Sequence, residues 1–205
     1  DKPPRTLLGQ LTMLAETQLA LGDLAGMQAT VTELDRRVAQ TAPTGVDRAI
    51  VTRLRARLAL EHGDLESAWT RLDALATLLE PVPDYIRRRS EGVRDLLRAE
   101  IMLLGHGEGD AEKLARGGTD AIGAVFYPHY LVPYGKAMHA LACASQPTSG
   151  CAESAFTDAA ELLGAPSHSG HPSLLSAQVA LAWVELIRDR DRQAVDRQIG
   201  RASCR

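Results

Sequence analysis

The sequence predicts an all-α protein built from about five helical hairpins, and three observations carry that prediction. Apolar residues make up 45% of the chain, yet Leu and Ala dominate them and aromatics are only 4%. Straight-chain and small side chains lose little entropy in a helix, whereas strands favour β-branched and aromatic ones. The apolar residues recur on one face at a 3.6-residue period, and period-2 alternation is not sustained anywhere. Proline and glycine punctuate the chain in two offset series with a spacing of about forty residues, the signature of a repeat.

The elements follow in order. Pro4, Pro43, Pro83, Pro128 and Pro172 each precede or open a helical pattern, where a missing N–H costs nothing. Gly22, Gly63, Gly109 and Gly150 mark the corners between paired helices, with Asp189 in the corresponding place of the last pair. Glycine suits the left-handed conformation that closes a helix. In the first unit Leu7, Leu8, Leu11, Leu14, Ala15 and Leu19 lead to Gly22, and Leu24, Met27, Val31 and Leu34 follow it. In the second, Leu54, Ala56, Leu58 and Leu60 precede Gly63, and Leu65, Ala68, Leu72, Leu75 and Leu79 follow. The third unit carries a short insertion at its corner, "GHGEG". In the fourth, Pro133 places the helix start near Val132 rather than at Pro128. The repeats are thus expected at 4–42, 43–82, 83–127, 128–171 and 172–198, the last truncated.

The residues around the corners resemble tetratricopeptide (TPR) repeats. That family places small residues seven before and five after the corner glycine. Ala15-Gly22-Met27, Ala56-Gly63-Ala68 and Ala182-Asp189-Ala194 occupy those positions, and Gly150 with Ala155 fits the fourth unit. Leu163-Gly164 followed by His171-Pro172 is similar to the roughly 42-residue variant of kinesin light chains and many bacterial proteins. The resemblance implies a right-handed α-solenoid over residues 1–198, whose first helices line a concave groove. One hairpin cannot bury its own stripe, so stacked neighbours bury it together.

Both ends look cut. The chain begins at Asp1 without a Met, and "IGRASCR", residues 199–205, reads as a translated sequencing adapter, so this tail, with Cys204, is set apart from functional reasoning. A net charge of −3 gives no basic field for nucleic acid. No apolar run is long enough to span a membrane or serve as a signal core. Cys143, Cys151 and Cys204 form no disulfide framework or zinc spacing, and a reducing cytoplasm is the expectation.

Catalytic chemistry finds little support. The glycines from Gly105 to Gly109 lack the lysine and the strand–helix context of a phosphate loop. His139 and Cys143 share a helix face at i,i+4, but no second pair completes a metal site. No GxSxG elbow, HExxH or kinase motif occurs, so the chain reads as no enzyme and as needing no cofactor.

Two binding features remain. Tyr127, Tyr130 and Tyr134, within "VFYPHYLVPY", are a candidate aromatic contact patch. The resemblance turns Arg53 and Arg57 toward the groove, and Arg94 and Arg98 repeat their spacing, which together suggest a basic groove for an acidic peptide. The expected function is a scaffold that holds a peptide or partner domain. The alternative is a regulatory arm of a larger bacterial signalling protein, a serine/threonine kinase or an ATP-dependent transcriptional regulator, whose catalytic or DNA-binding domain lies N-terminal to this segment.

Overall fold

A computed structural model of the chain describes residues 5–40, 44–105, 108–125, 131–146, 150–164 and 173–202, and within them the chain is all-helical, with no strand. The helices are α1 (Arg5–Ala20), α2 (Leu24–Ala39), α3 (Gly45–Glu61), α4 (Leu65–Leu79), α5 (Asp84–Leu104), α6 (Glu108–Val125), α7 (Leu131–Ala144), α8 (Ala152–Gly164) and α9 (Ser173–Ala202). Among the described residues no helix is long and apolar enough to cross a membrane.

The first two corners are built alike. Gly22 and Gly63 adopt φ of 73° and 75°, the left-handed region that closes a helix. In each, the glycine N–H donates to the carbonyl three residues back (Leu19, Leu60), and the following aspartate's N–H reaches five back (Gln18, Ala59). This is the Schellman arrangement. The same aspartates then cap the next helix: Asp23 accepts from the Gly26 N–H and Asp64 from the Ser67 N–H. A Cβ on Gly63 would meet nothing within 4 Å, so any cost of substitution lies in the backbone. Gly63→Ala is expected to lower stability by about 1–2 kcal/mol, the left-handed penalty. Chemical unfolding checks this, and an unchanged midpoint would contradict the corner.

The small residues expected at these corners are buried: Ala15, Ala56 and Ala68 are sealed between helices, as are Met27 and Ala155. Their burial lets paired helices approach closely. The helix starts α3, α5, α7 and α9 fall at or just past the punctuating prolines. Pro83 is the N-cap of α5, and Pro133 lies in the first turn of α7, which opens at Leu131 as the proline required.

Apolar burial forms two clusters joined through α3. Val51, Leu54 and Leu58 of α3 pack with Met27, Val31, Leu34 and Val38 of α2. Ala49, Ala56 and Leu60 of the same helix join Leu72, Leu75, Leu96 and further residues reaching to α9. Burial on two faces explains why α3 reads "RLRARLALE", with no broad polar side.

Four expectations change. Asp189 is no corner: α9 runs unbroken from Ser173 to Ala202. Residues 173–199 contain no Gly or Pro, and an aspartate pays for a left-handed turn that glycine adopts freely. Ala182 is accordingly exposed instead of sealed at a helix contact, and the side chain of Ala194 lies outside the described ones. Gly109 falls inside α6, and Gly105 caps α5 instead. Gly150 sits in the turn before α8, well after α7 has ended at Ala144, and Cys143 is disulfide-bonded to Cys151 across that connection. The sequence spacing of eight gave no framework, because the pairing needs the two helices folded against each other. With the bond present, the cysteines no longer argue for a reducing compartment.

A seam of glycines sets α5, α6 and α7 close together. A Cβ on Gly92 would lie 2.7 Å from the Gly118 carbonyl, and one on Gly118 would lie 2.7 Å from the Gly92 carbonyl. A Cβ on Gly135 would lie 2.1 Å from Thr119 Oγ1. Thr119 is buried and satisfies its hydroxyl by donating to the Ala115 carbonyl at 2.6 Å. The helix axes here approach as closely as backbone permits.

Candidate functional site

The odd-numbered helices α1, α3, α5, α7 and α9 together enclose a groove of about 900 Å³. Among the described residues, those that line it come from these helices or from Ser145 just past α7, while α2, α4, α6 and α8 contribute none. Alternate helices in chain order thus face the groove. The α1 end of the row touches α9, so the groove is bounded along both sides.

Its walls are mostly apolar. Leu54, Val93, Leu96, Leu97, Leu131 and Met138 form the interior. Leu104, Val179 and Trp183 line it while remaining 56%, 58% and 53% exposed. Large apolar side chains left in water inside a concavity mark a contact surface more strongly than scattered surface leucines do.

A polar chain crosses this apolar wall. Arg57, on α3, pairs with Glu100 of α5 and, at 2.6 Å, with Glu61 one turn along its own helix. Tyr134 of α7 donates its hydroxyl proton to the same Glu100 carboxylate. Three helices are therefore tied through one carboxylate. Burial works against the Arg57 charge, but Glu100, Tyr134 and Glu61 outweigh it and hold its pKa above the ordinary arginine value. Burial, reinforced by Glu100 and opposed by Arg57, pushes the Tyr134 hydroxyl well above its usual range. Arg57 Nε is buried without a hydrogen-bond partner, so the cluster is fully engaged but not fully satisfied. Nearby, Arg53 reaches across to Glu16 of α1 at 2.8 Å.

The four candidate arginines thus divide. Arg53 and Arg57 do line the groove, yet both are neutralised by glutamates, and among the described residues the lining carries three carboxylates against two guanidiniums. Arg94 and Arg98 lie outside it. Arg94 pairs with Asp95 at 3.0 Å, while Arg98 pairs with Asp73 of α4 and covers the Trp69 ring at 5.0 Å. Among the described residues that line the groove, both arginines are already paired with carboxylates. Among the tyrosines, Tyr134 is buried in the groove wall with its hydroxyl engaged, while Tyr127 and Tyr130 lie outside the described residues.

Sequence reasoning missed Glu16, Glu100, Val179 and Trp183. The glutamates stand 37 and 43 residues from their arginines, a separation at which repeat period sets the face but not the partner. Trp183, one of two tryptophans, sits at the composition outlier of the last helix and was the available signal. Comparison with protein-family models, curated proteins and solved structures gave no match.

Proposed function

We propose that the chain is a tetratricopeptide-like α-solenoid that seats an amphipathic helix of a protein partner in this groove. The observation that carries the reading is an apolar concavity with Leu104, Val179 and Trp183 left in water and every lining arginine compensated. An apolar helix face at i, i+3, i+4 and i+7 spacing suits such walls. The three lining glutamates favour a neutral or basic segment over an acidic one. The two matching corners at Gly22 and Gly63 and the lining by alternate helices support the repeat reading.

Panning the full chain against a displayed random-peptide library tests this. Recovered peptides should carry helical apolar spacing without acidic enrichment. Val179→Asp, at an exposed position that leaves folding intact, should weaken the best of them about 30-fold, the roughly 2 kcal/mol of an interface hot spot. Acidic peptides that bind Val179→Asp as well as the parent would overturn the proposal. Reversing Arg53 and Arg57 is no substitute test, because Arg57 holds the wall together.

A further inference from the structure

Away from the groove, α7 and α8 bring three soft donors together. His139 and Cys143 share one face of α7, with His139 Nε2 3.6 Å from Cys143 Sγ. Cys151 immediately precedes α8, and its sulfur, the Cys143 sulfur and a His139 ring nitrogen all lie within 4.8 Å of one another. Glu112 of α6 adds a carboxylate oxygen 3.1 Å from His139 Nε2. Cys143 is buried, His139 is 14% exposed and Cys151 is partly exposed, so the cluster borders solvent while its inner side is dry.

We propose that this cluster is a redox-gated zinc site, closed as a disulfide when oxidised and binding Zn²⁺ through Cys143, Cys151 and His139 when reduced. The distances suit the metal. Zinc takes sulfur at about 2.3 Å and imidazole nitrogen at about 2.0–2.1 Å, so a tetrahedron separates S from N by about 3.6 Å and S from S by about 3.8 Å. The observed nitrogen–sulfur separation already has that length. The two cysteine Cα atoms are 5.6 Å apart, a spacing that lets two thiolates spread around an ion by side-chain rotation. Three protein ligands leave one position open, and Glu112 is the carboxylate within reach of it.

The chemistry balances in two steps. A dithiol reductant attacks the Cys143–Cys151 bond, and two electrons and two protons pass to the cysteines as the reductant closes its own disulfide. Zn²⁺ then displaces both thiol protons. The product holds two thiolate charges against the dication, with neutral His139 completing the set. This site is independent of the groove, and its success or failure leaves the peptide-binding reading untouched.

The test uses the full chain carrying Cys204→Ser, so that only Cys143 and Cys151 remain. The protein is reduced with a dithiol, desalted without air and titrated with Co²⁺. One Co²⁺ per chain should bind with the intense visible bands of a tetrahedral site and a thiolate-to-cobalt charge-transfer band, both erased by Zn²⁺. The oxidised chain should show neither. His139→Gln should lower affinity by at least the roughly 10–100-fold that even outer-shell changes cost, with disulfide formation by air unchanged. Glu112→Gln should lower it less. Absence of the charge-transfer band in the reduced parent, or parent-like affinity in His139→Gln, would overturn the site. If reduction lowers the helical circular dichroism, Zn²⁺ should restore it, and failure to do so would equally count against the proposal.

Discussion

Replacing Arg57 by Met is expected to cost about 3–5 kcal/mol, the cost of breaking a buried ion pair by removing one partner. Met preserves much of the aliphatic volume, so the loss is electrostatic. Glu100, only 20% exposed, would keep a carboxylate in the apolar wall with the Tyr134 hydroxyl as its remaining tie. For a chain of this length, that loss lowers the melting temperature by roughly 10 °C. The triple replacement Arg57→Met, Glu100→Met, Tyr134→Phe removes the buried pair together with its hydroxyl partner and leaves only Glu61, 28% exposed, to be solvated; it should recover most of the loss, because apolar substitutes for buried ion pairs are often neutral. A single mutant as stable as the parent would show that the cluster ties nothing together. Tyr134 adds a pH signature. Its folded pKa is raised, so its contribution is complete below the ordinary tyrosine value and declines as pH rises above it. Tyr134→Phe should lack that alkaline decline.

The second large effect separates two adjacent glycines. Gly118→Ala puts a Cβ 2.7 Å from the Gly92 carbonyl and 3.2 Å from the Leu96 backbone nitrogen. Neither backbone atom can yield unless α5 and α6 move apart, which places the cost at about 3 kcal/mol, the upper end of overpacking. Gly117→Ala meets nothing within 4 Å on an exposed helix face. There alanine should stabilise by about 0.5–1 kcal/mol, because it restricts the unfolded chain and suits a helix interior. Urea unfolding of the two variants should therefore give shifts of opposite sign. Equal shifts would mean that α5 and α6 are not in backbone contact at this seam.

Much of the fold was legible because local signals were sufficient. Gly22 and Gly63 announced left-handed corners, and the structure adds that Asp23 and Asp64 cap the helices that follow. Burial of Ala15, Ala56 and Ala68 followed from their places around those corners. Where a local signal was missing, extrapolating the repeat failed. Asp189 inherited a corner by counting alone, and a stretch with nothing to break a helix remained a helix.

The features that matter most for function were not legible, and the reason is shared. Arg57 reads as a surface cation until Glu100, 43 residues on, is placed beside it. Gly92, Gly118 and Gly135 look like weak points in helices until their neighbours' backbones are seen to occupy the missing side chains. Cys143 and Cys151 are unremarkable at a spacing of eight until α7 and α8 fold together. Each depends on a contact between elements. Helical periodicity identifies a residue's face and leaves its partner unspecified. The expected basic groove shows the same limit: Arg53 and Arg57 line it, Arg94 and Arg98 do not, and the glutamates that pair with the first two were not foreseen.

The groove as a seat for an apolar helix face is most directly tested by collisional quenching of the two tryptophans. Trp183 lines the groove, whereas Trp69 lies outside it beneath Arg98. Acrylamide quenching of single-tryptophan variants, Trp69→Phe and Trp183→Phe, would be measured with and without a saturating peptide from the selection. Shielding of Trp183 with Trp69 unchanged is the predicted result. Undiminished quenching of Trp183 in the peptide-bound chain would contradict it.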